Sequence, residues 1–493
     1  MSHKHIPVLV LILILSVFTV FTATPAYAAT ITVTSKLDTA DPGRCRLRDA
    51  IIAANTNTAT GDCPAGGAGL DTIGFSLGLQ CNVTPCTITL TSALPTVTED
   101  LTLNGSNTVI NGANSFRVFN LGAVNVNISN LSIANGNVST NGGAINMSDA
   151  ASTAGTTLTL NHVFFSNNHA NFGGAIYEPR GTLTIISSNF SGNTAGTGGA
   201  ILEERNGSTL TAVDSIFSSN TAVEDGGAMA LVSQADISRS TFSGNSAGFG
   251  GAIAKLVLGN LNLSDSVFYN NAASGQTSSW GGAIYIFQNV GAATLTNVTL
   301  SGNSSENHGG GIVASVTTTA LNNVTITNNT ADSDNDGNGD GGGIYRDSTA
   351  AIQVKNSIIA GNFDTPGNAG AGAINPDCSG LFSSQGYNLI GRNDGCSGIV
   401  NGVNADKVGS GATPINPLLG ALANNGGSTQ THALLPGSPA INAGNPLPPG
   451  SGGFACAGTD QRGIARPQGG ACDMGAFEFE FRSLYLPLIL RQV

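Results

Sequence analysis

From about residue 130 onward, apolar and polar positions recur with a two-residue alternation broken at fixed places. Counting back from each aromatic residue in "FFSNN", "FSGN", "FSSN", "FSGN" and "FYNN" (Phe165, Phe190, Phe217, Phe242, Phe268), the fifth position upstream is apolar: Leu160, Ile185, Ala212, Ile237, Leu263. Leu295, Leu321 and Val354 hold the same offset before Leu300, Ile326 and Ile359, which stand where Phe stood. Leu158, Leu183, Leu210, Ala235 and Leu261 lie two residues earlier again. That spacing predicts a short strand with one buried face. A Val or Ser two residues before each Phe position predicts a corner, and an Asn follows three residues after it (Asn193, Asn303, Asn329, Asn362).

The second half of the unit is "GGAI", "GGAM" or "GGGI", starting at 142, 173, 198, 226, 250, 281, 309 and 341, at intervals of 24 to 32 residues. A unit of this size cannot bury its apolar face alone, but stacked copies can, each strand pairing with its counterpart ~4.8 Å away. The chain therefore reads as all-β: a right-handed, single-stranded parallel β-helix of the pectin-lyase type. In it the Phe residues form an interior column, and the Asn residues a ladder at a bend that uses their tolerance of left-handed φ. The Gly pair permits a sharp turn and close backbone approach. "FSGNTAGTGGAI" is thus a building part, not a catalytic signature. His162, Ser187, Asp214, Arg239, Asp265, Asn297, Asn323 and Asn356 form an outward column, with Asp214, Arg239 and Asp265 alternating in sign. About a dozen coils, hence a rod of roughly 60 Å, are expected.

The flanks differ. Lys4, the apolar run Ile6 to Phe21 and Ala26-Tyr27-Ala28 predict a signal peptide, residues 1–28, and so a secreted or cell-surface protein. Residues 29–80 are expected to form an N-terminal cap, 81–375 the repeats, 376–480 C-terminal coils and 481–493 a tail. In "DPGRCRLRDAIIAAN", Asp41 can cap a helix, Pro42 opens its first turn, and Leu47, Ala50, Ile51 and Ala54 share one face. This helix is placed across the open N-terminal end, shielding strand edges.

Composition narrows the function. With 10% charged residues and 67 Gly, the chain is poor in helix signals. Without the leader, 17 basic residues face 30 acidic ones, a net charge of −13, which argues against nucleic acid or an anionic membrane as partner. The eight cysteines lie four before and four after the repeats. Long bridges would have to cross the rod, so local pairs are expected: Cys45–Cys63, Cys81–Cys86, Cys378–Cys396 and Cys456–Cys472.

The GGAI and FxxN repeats across roughly residues 130–365 resemble those of chlamydial polymorphic membrane proteins, a resemblance that implies a β-helical surface adhesin. "CRLRDAIIAAN" (45–55) resembles the CSLREA segment of bacterial surface proteins, keeping Cys45, Leu47, Arg48 and Ala50. "NPLLGALANNGGSTQTHALLPGSPAINAG" and "TDQRGIARPQGGACDMGAFE" are similar to the choice-of-anchor Q domain, which implies C-terminal coils and is silent on chemistry.

Parallel β-helices also carry polysaccharide lyases and hydrolases. Glu178 and Glu203, each two residues after a "GGAI" Ile, stack on adjacent coils and are the one carboxylate pair that could act as acid and nucleophile. The alternative is a solvated strand end, since Leu231, Lys255, Ile286, Ala314 and Arg346 follow at the same place. "DSDNDGNGD" carries Asp332, Asp334, Asp336, Asn338 and Asp340 with the spacing of a calcium loop, but position 12 is Gly343, so a closing carboxylate such as Asp347 is needed. Trp280 and Tyr285, with Tyr177 and Tyr345 at matching offsets, either stack on sugar rings or pack as ordinary aromatics. The reading that results is non-catalytic adhesion or binding of an extracellular polymer or surface protein, with calcium as its cofactor. A carbohydrate-active enzyme and a structural surface layer are the alternatives.

Overall fold

The computed structural model describes residues 27–147, 155–276, 278–287, 291–315, 318–365 and 375–480; all but the last two residues of the expected signal peptide 1–28, and the whole of the expected tail 481–493, lie outside them. One coil shows how the repeat folds. Gly181–Ile186 forms a strand with Leu183 and Ile185 inward, and the chain turns at Ser187 into Asn189–Ser191. It turns again into the two-residue strand Thr194–Ala195, crosses the Gly pair and enters Ile201–Glu203. Each strand pairs in parallel with the same segment of the next coil, so Leu183 meets Leu158 and Leu210, and Phe190 meets Phe165 and Phe217. The long strands make a continuous ladder of thirteen rungs, from Thr30–Val33 to Cys378–Gly386. The chain is a parallel β-helix.

Stacking like on like builds the interior. Rings of Phe165, Phe190, Phe217, Phe242 and Phe268 lie face to face at 4.5, 4.9, 4.9 and 4.6 Å, fully buried. Beside them the Asn column is buried and hydrogen-bonded throughout. Asn193 donates its backbone N–H and its Nδ2 to Oδ1 of Asn220, at 3.0 and 2.9 Å, and Nδ2 also donates to the carbonyl of Phe165. A parallel Ser ladder runs at the corner: the N–H groups of Val163, Ser188, Ser215 and Ser240 donate to Oγ of Ser188, Ser215, Ser240 and Ser266.

Left-handed backbone is needed, but not at the ladder Asn as the sequence suggested. It falls one residue earlier, at Asn167, Gly192, Ser219, Gly244 and Asn270. The column three residues before each Phe is left-handed as well, with φ of +46° to +55° from His162 to Asn356. The ladder Asn keeps ordinary backbone because its amide must lie along the stacking direction to reach both neighbours. In the Gly pair the first Gly is left-handed, and a Cβ on the second, such as Gly174, would run into the carbonyls of Gly199 and Thr194.

The ends depart from expectation. Coiling starts at Thr30, not after residue 80: Thr30–Val33 pairs with Asp71–Phe75, and the helix Leu47–Thr56 is inserted between these two rungs. Its N-cap is Arg46, not Asp41, because Asp41 is engaged by Ser35 Oγ. Leu47, Ala50, Ile51, Ala53 and Ala54 bury against the first rungs. At the other end coils run only to Lys407–Val408, which pairs with Leu389–Ile390. Residues 416–480 form no further coils. They carry an antiparallel pair, Leu419–Ala423 with Thr431–Leu434, and fold back along the corner column. There Asn297 donates to Thr459 O, Asn323 to Asp473 O and Asn356 to Phe454 O. This covering explains why the column changes from charged Asp214 and Arg239 to buried Asn: only an amide can serve both strands without an unpaired charge. Arg466, fully buried, binds Glu478 at 2.8 Å and ties the segment together. The eight cysteines form the pairs Cys45–Cys63, Cys81–Cys86, Cys378–Cys396 and Cys456–Cys472.

Candidate functional site

The strand after each Gly pair is three or four residues long. Its first and third side chains join the interior cluster, as Ile176, Ile201, Leu231 and Ile286 do, while the middle ones, Tyr177, Leu202 and Ala230, pack together on the outer face. Glu178 and Glu203 are third residues and direct register partners. They are therefore interior groups, 1% and 0% exposed. Glu178 Oε1 accepts from Ser208 Oγ at 3.1 Å, and Glu203 Oε2 accepts from the N–H of Val232 and Ser233 at 3.0 and 2.8 Å. Glu178 Oε2 and Glu203 Oε1 have no partner among the described residues. Burial, and then the neighbouring Glu203, push Glu178 up to about 8; burial pushes Glu203 up too. Lys255, third residue of its own coil, is equally buried, and its Nζ donates to the carbonyls of Ser233, Val257 and Leu258. Burial lowers its pKa to about 8. A buried pair able to hold a proton is what these positions make; the scissile bond of a polymer could not reach it.

The acidic insertion between two coils brings together only part of the expected calcium set. Asp332, Asp334 and Asp336 place carboxylate oxygens within 4.8 Å of one another, Asp332 buried and the others exposed. Asp332 Oδ1 accepts the N–H groups of Asp336 and Gly337, so part of its capacity is spent holding the loop. Asn338 and Asp340 do not join: Asn338 Nδ2 donates to Asp336, and Asp340 Oδ1 accepts from Asn375. Asp347 accepts from Ser315 Oγ and does not close the ring.

A third cluster was only half visible in the sequence. On the outer face, the residue before the Gly pair and the middle residue of the following strand form two adjacent columns. The first reads Asp225, Phe249, Trp280, His308 and Asp340, held in register by bridges between Asp225, Phe249 and Trp280 and by the N–H of Gly281 and Gly309 donating to His308 O and Asp340 O. The second brings in Tyr285 and Tyr345. Trp280 lies 6.1 Å from Tyr285 edge-on and 5.6 Å from His308, and His308 stacks on Tyr345 at 4.1 Å. Tyr177 stands apart and donates to Glu204. Phe249 and His308 escaped sequence reading because only the offset from the Gly pair unites them with Trp280.

Inward ladders under a variable outer face define a β-helical repeat protein. A family model described as the Chlamydia polymorphic membrane protein (Chlamydia_PMP) repeat matches residues 162–177, 239–254, 265–286 and 323–345. Those four segments are similar to that repeat. No curated protein and no solved structure matches it. Among the described residues no helix is long and apolar enough to cross a membrane.

Proposed function

We propose that this is a secreted, surface-displayed β-helix that adheres to or binds an extracellular partner without catalysis. The observation that carries this reading is the direction of its constrained positions. Phe, Asn, Ser and Gly columns all serve the wall, and the stacked carboxylate pair is sealed inside it. The family description, a membrane protein repeat, supports a surface setting. On the same reading the CSLREA-like segment belongs to the N-terminal cap and the choice-of-anchor-like segment to the fold-back that strengthens the C-terminal half. The test is incubation of the mature protein with pectin, polygalacturonate and alginate, with release of reducing ends and unsaturated sugars as readout. No turnover is expected. Turnover that a Glu178→Gln, Glu203→Gln double variant abolishes would make the protein an enzyme.

Calcium is proposed as a stabilising ligand of Asp332, Asp334 and Asp336. Three carboxylates are few for an ion that takes 6–8 oxygens, so waters must complete the shell and the affinity is of the weak extracellular kind. Calcium should raise the melting temperature by binding the native state. Persistence of that rise in an Asp334→Ala, Asp336→Ala variant would place the ion elsewhere.

A further inference from the structure

The aromatic columns around Trp280 lie on the outer face of the coils, where neighbouring coils show small residues such as Ala230 and Ala254. Three carboxylates surround the rings. Asp225 begins the first column and Asp340 ends it, with Asp347 two residues beyond Tyr345. Over these five coils neither column contains a Lys or Arg. Arg346, the nearest cation in sequence, turns its guanidinium to the carbonyl of Ala350. Burial disfavours the charged form of His308, and its Nδ1 is buried without a partner among the described residues. Asp225 is pushed up to about 6 by burial and by Glu224, so its ionised form lacks compensation.

We propose that this face binds a basic segment of a partner protein, with Lys or Arg side chains lying against the rings and pairing with Asp225, Asp340 and Asp347. The inference rests on the surface-binding reading above and names the partner's chemistry. Cations are attracted to the faces of Trp and Tyr, and nearby carboxylates add Coulomb attraction that is strong where water is partly excluded. From Asp225 to Asp340 the column spans four coil spacings, about 19 Å, which matches about six residues of extended chain. Separated negative charges over that length complement several cations on one strand rather than one sugar ring. The acidic net charge of the chain favours the encounter.

Trp280 is the single Trp in the chain, so its fluorescence reports this site alone. The experiment titrates the full mature protein with a synthetic peptide alternating Lys and Gly, with a Glu–Gly peptide and cellohexaose as the other arms. A saturable change is expected with the Lys peptide only, weakened about tenfold by an Asp340→Asn, Asp347→Asn double variant and by about 0.5 M NaCl. Asp225→Asn should weaken it in the same direction, and Asp214→Asn, at a remote corner, should not. No change with the Lys peptide, a change indifferent to all three cluster carboxylates, or stronger binding of cellohexaose would overturn the proposal. A surface-binding array separates this from the wider reading. Array binding that survives the double variant removes the site and leaves adhesion standing, whereas a wild type that binds nothing removes adhesion itself.

Discussion

Cutting the amide ladder at its centre should cost far more than the loss of one polar side chain suggests. Asn220 Nδ2 donates to Phe190 O and Asn245 Oδ1, while its Oδ1 accepts the N–H and Nδ2 of Asn193; all lie between 2.9 and 3.0 Å and all are buried. Asn220→Ala removes four bonds. Asn245 Oδ1 keeps the backbone N–H of residue 220, but the N–H of Asn193 loses its acceptor in a place water cannot enter. At roughly 1 kcal/mol net per bond, with a further penalty for the orphaned N–H, the loss is about 4–5 kcal/mol. Urea unfolding of wild type and variant, followed by far-UV circular dichroism, measures it; Asn127→Ala, on an exposed strand position, is the control and should stay within about 0.5 kcal/mol. A loss below about 1 kcal/mol for Asn220→Ala would mean that the ladder decorates the fold without holding it.

Phe217→Ala should destabilise by roughly 3–5 kcal/mol through a cavity and two lost ring stacks, read by calorimetry; an unchanged melting temperature would remove the column from the core. For the buried carboxyls the sign is clear. Glu178 and Glu203 have raised folded pKa values, so their contribution is complete below the ordinary glutamate range and is lost as the pH rises to about 8. The lowered Lys255 acts oppositely, regaining stability as the pH rises from about 8 toward its ordinary value, so the three together predict a minimum near pH 8. Glu178→Gln should flatten the fall between pH 5 and 8, a gain on the order of 2–4 kcal/mol at the upper end; a melting profile as steep as wild type would refute it.

Most of the wall was legible because stacking writes one side chain into the sequence many times. Phe, Asn, Ser and the Gly pair recur at offsets set by the coil, and the strands obey them. What stayed hidden has three physical causes. The rungs at Thr30 and Asp71 carry no repeated motif, only a short alternation such as Ile31 and Val33, so coiling could not be seen to begin there. Glu178 and Glu203 read as a solvated strand end because a carboxylate in a strand ordinarily faces water. Leu231, Ile286 and Ala314, which share their column, already pointed inward. The fold-back of residues after 415 left one trace, the change from Asp214 and Arg239 to Asn297, Asn323 and Asn356, and such a change has meaning only once a covering chain is known.

Both ladders have a direction, and that direction explains how the stack ends. Each coil passes its N–H donors forward to an acceptor on the next coil, beginning where Gly136 N donates to Asn168 Oδ1. At the last repeat, Asn362 needs an acceptor with no amide to offer in return. Asp377 supplies it, taking the N–H and Nδ2 of Asn362 on Oδ1 and the N–H of Arg392 on Oδ2. The Ser ladder ends alike: Ser357 N donates to Asn388 Oδ1, and Asn388 passes its donors to Asp406. A carboxylate, which accepts at both oxygens and donates at neither, is the side chain that closes a chain of donors. An Asn at 377 would set an NH2 against one of three N–H groups, so the terminator is as specific as the repeat. Wall and ends are thus secured by buried groups, to which the corner column adds through Asn297, Asn323 and Asn356, which hold the fold-back.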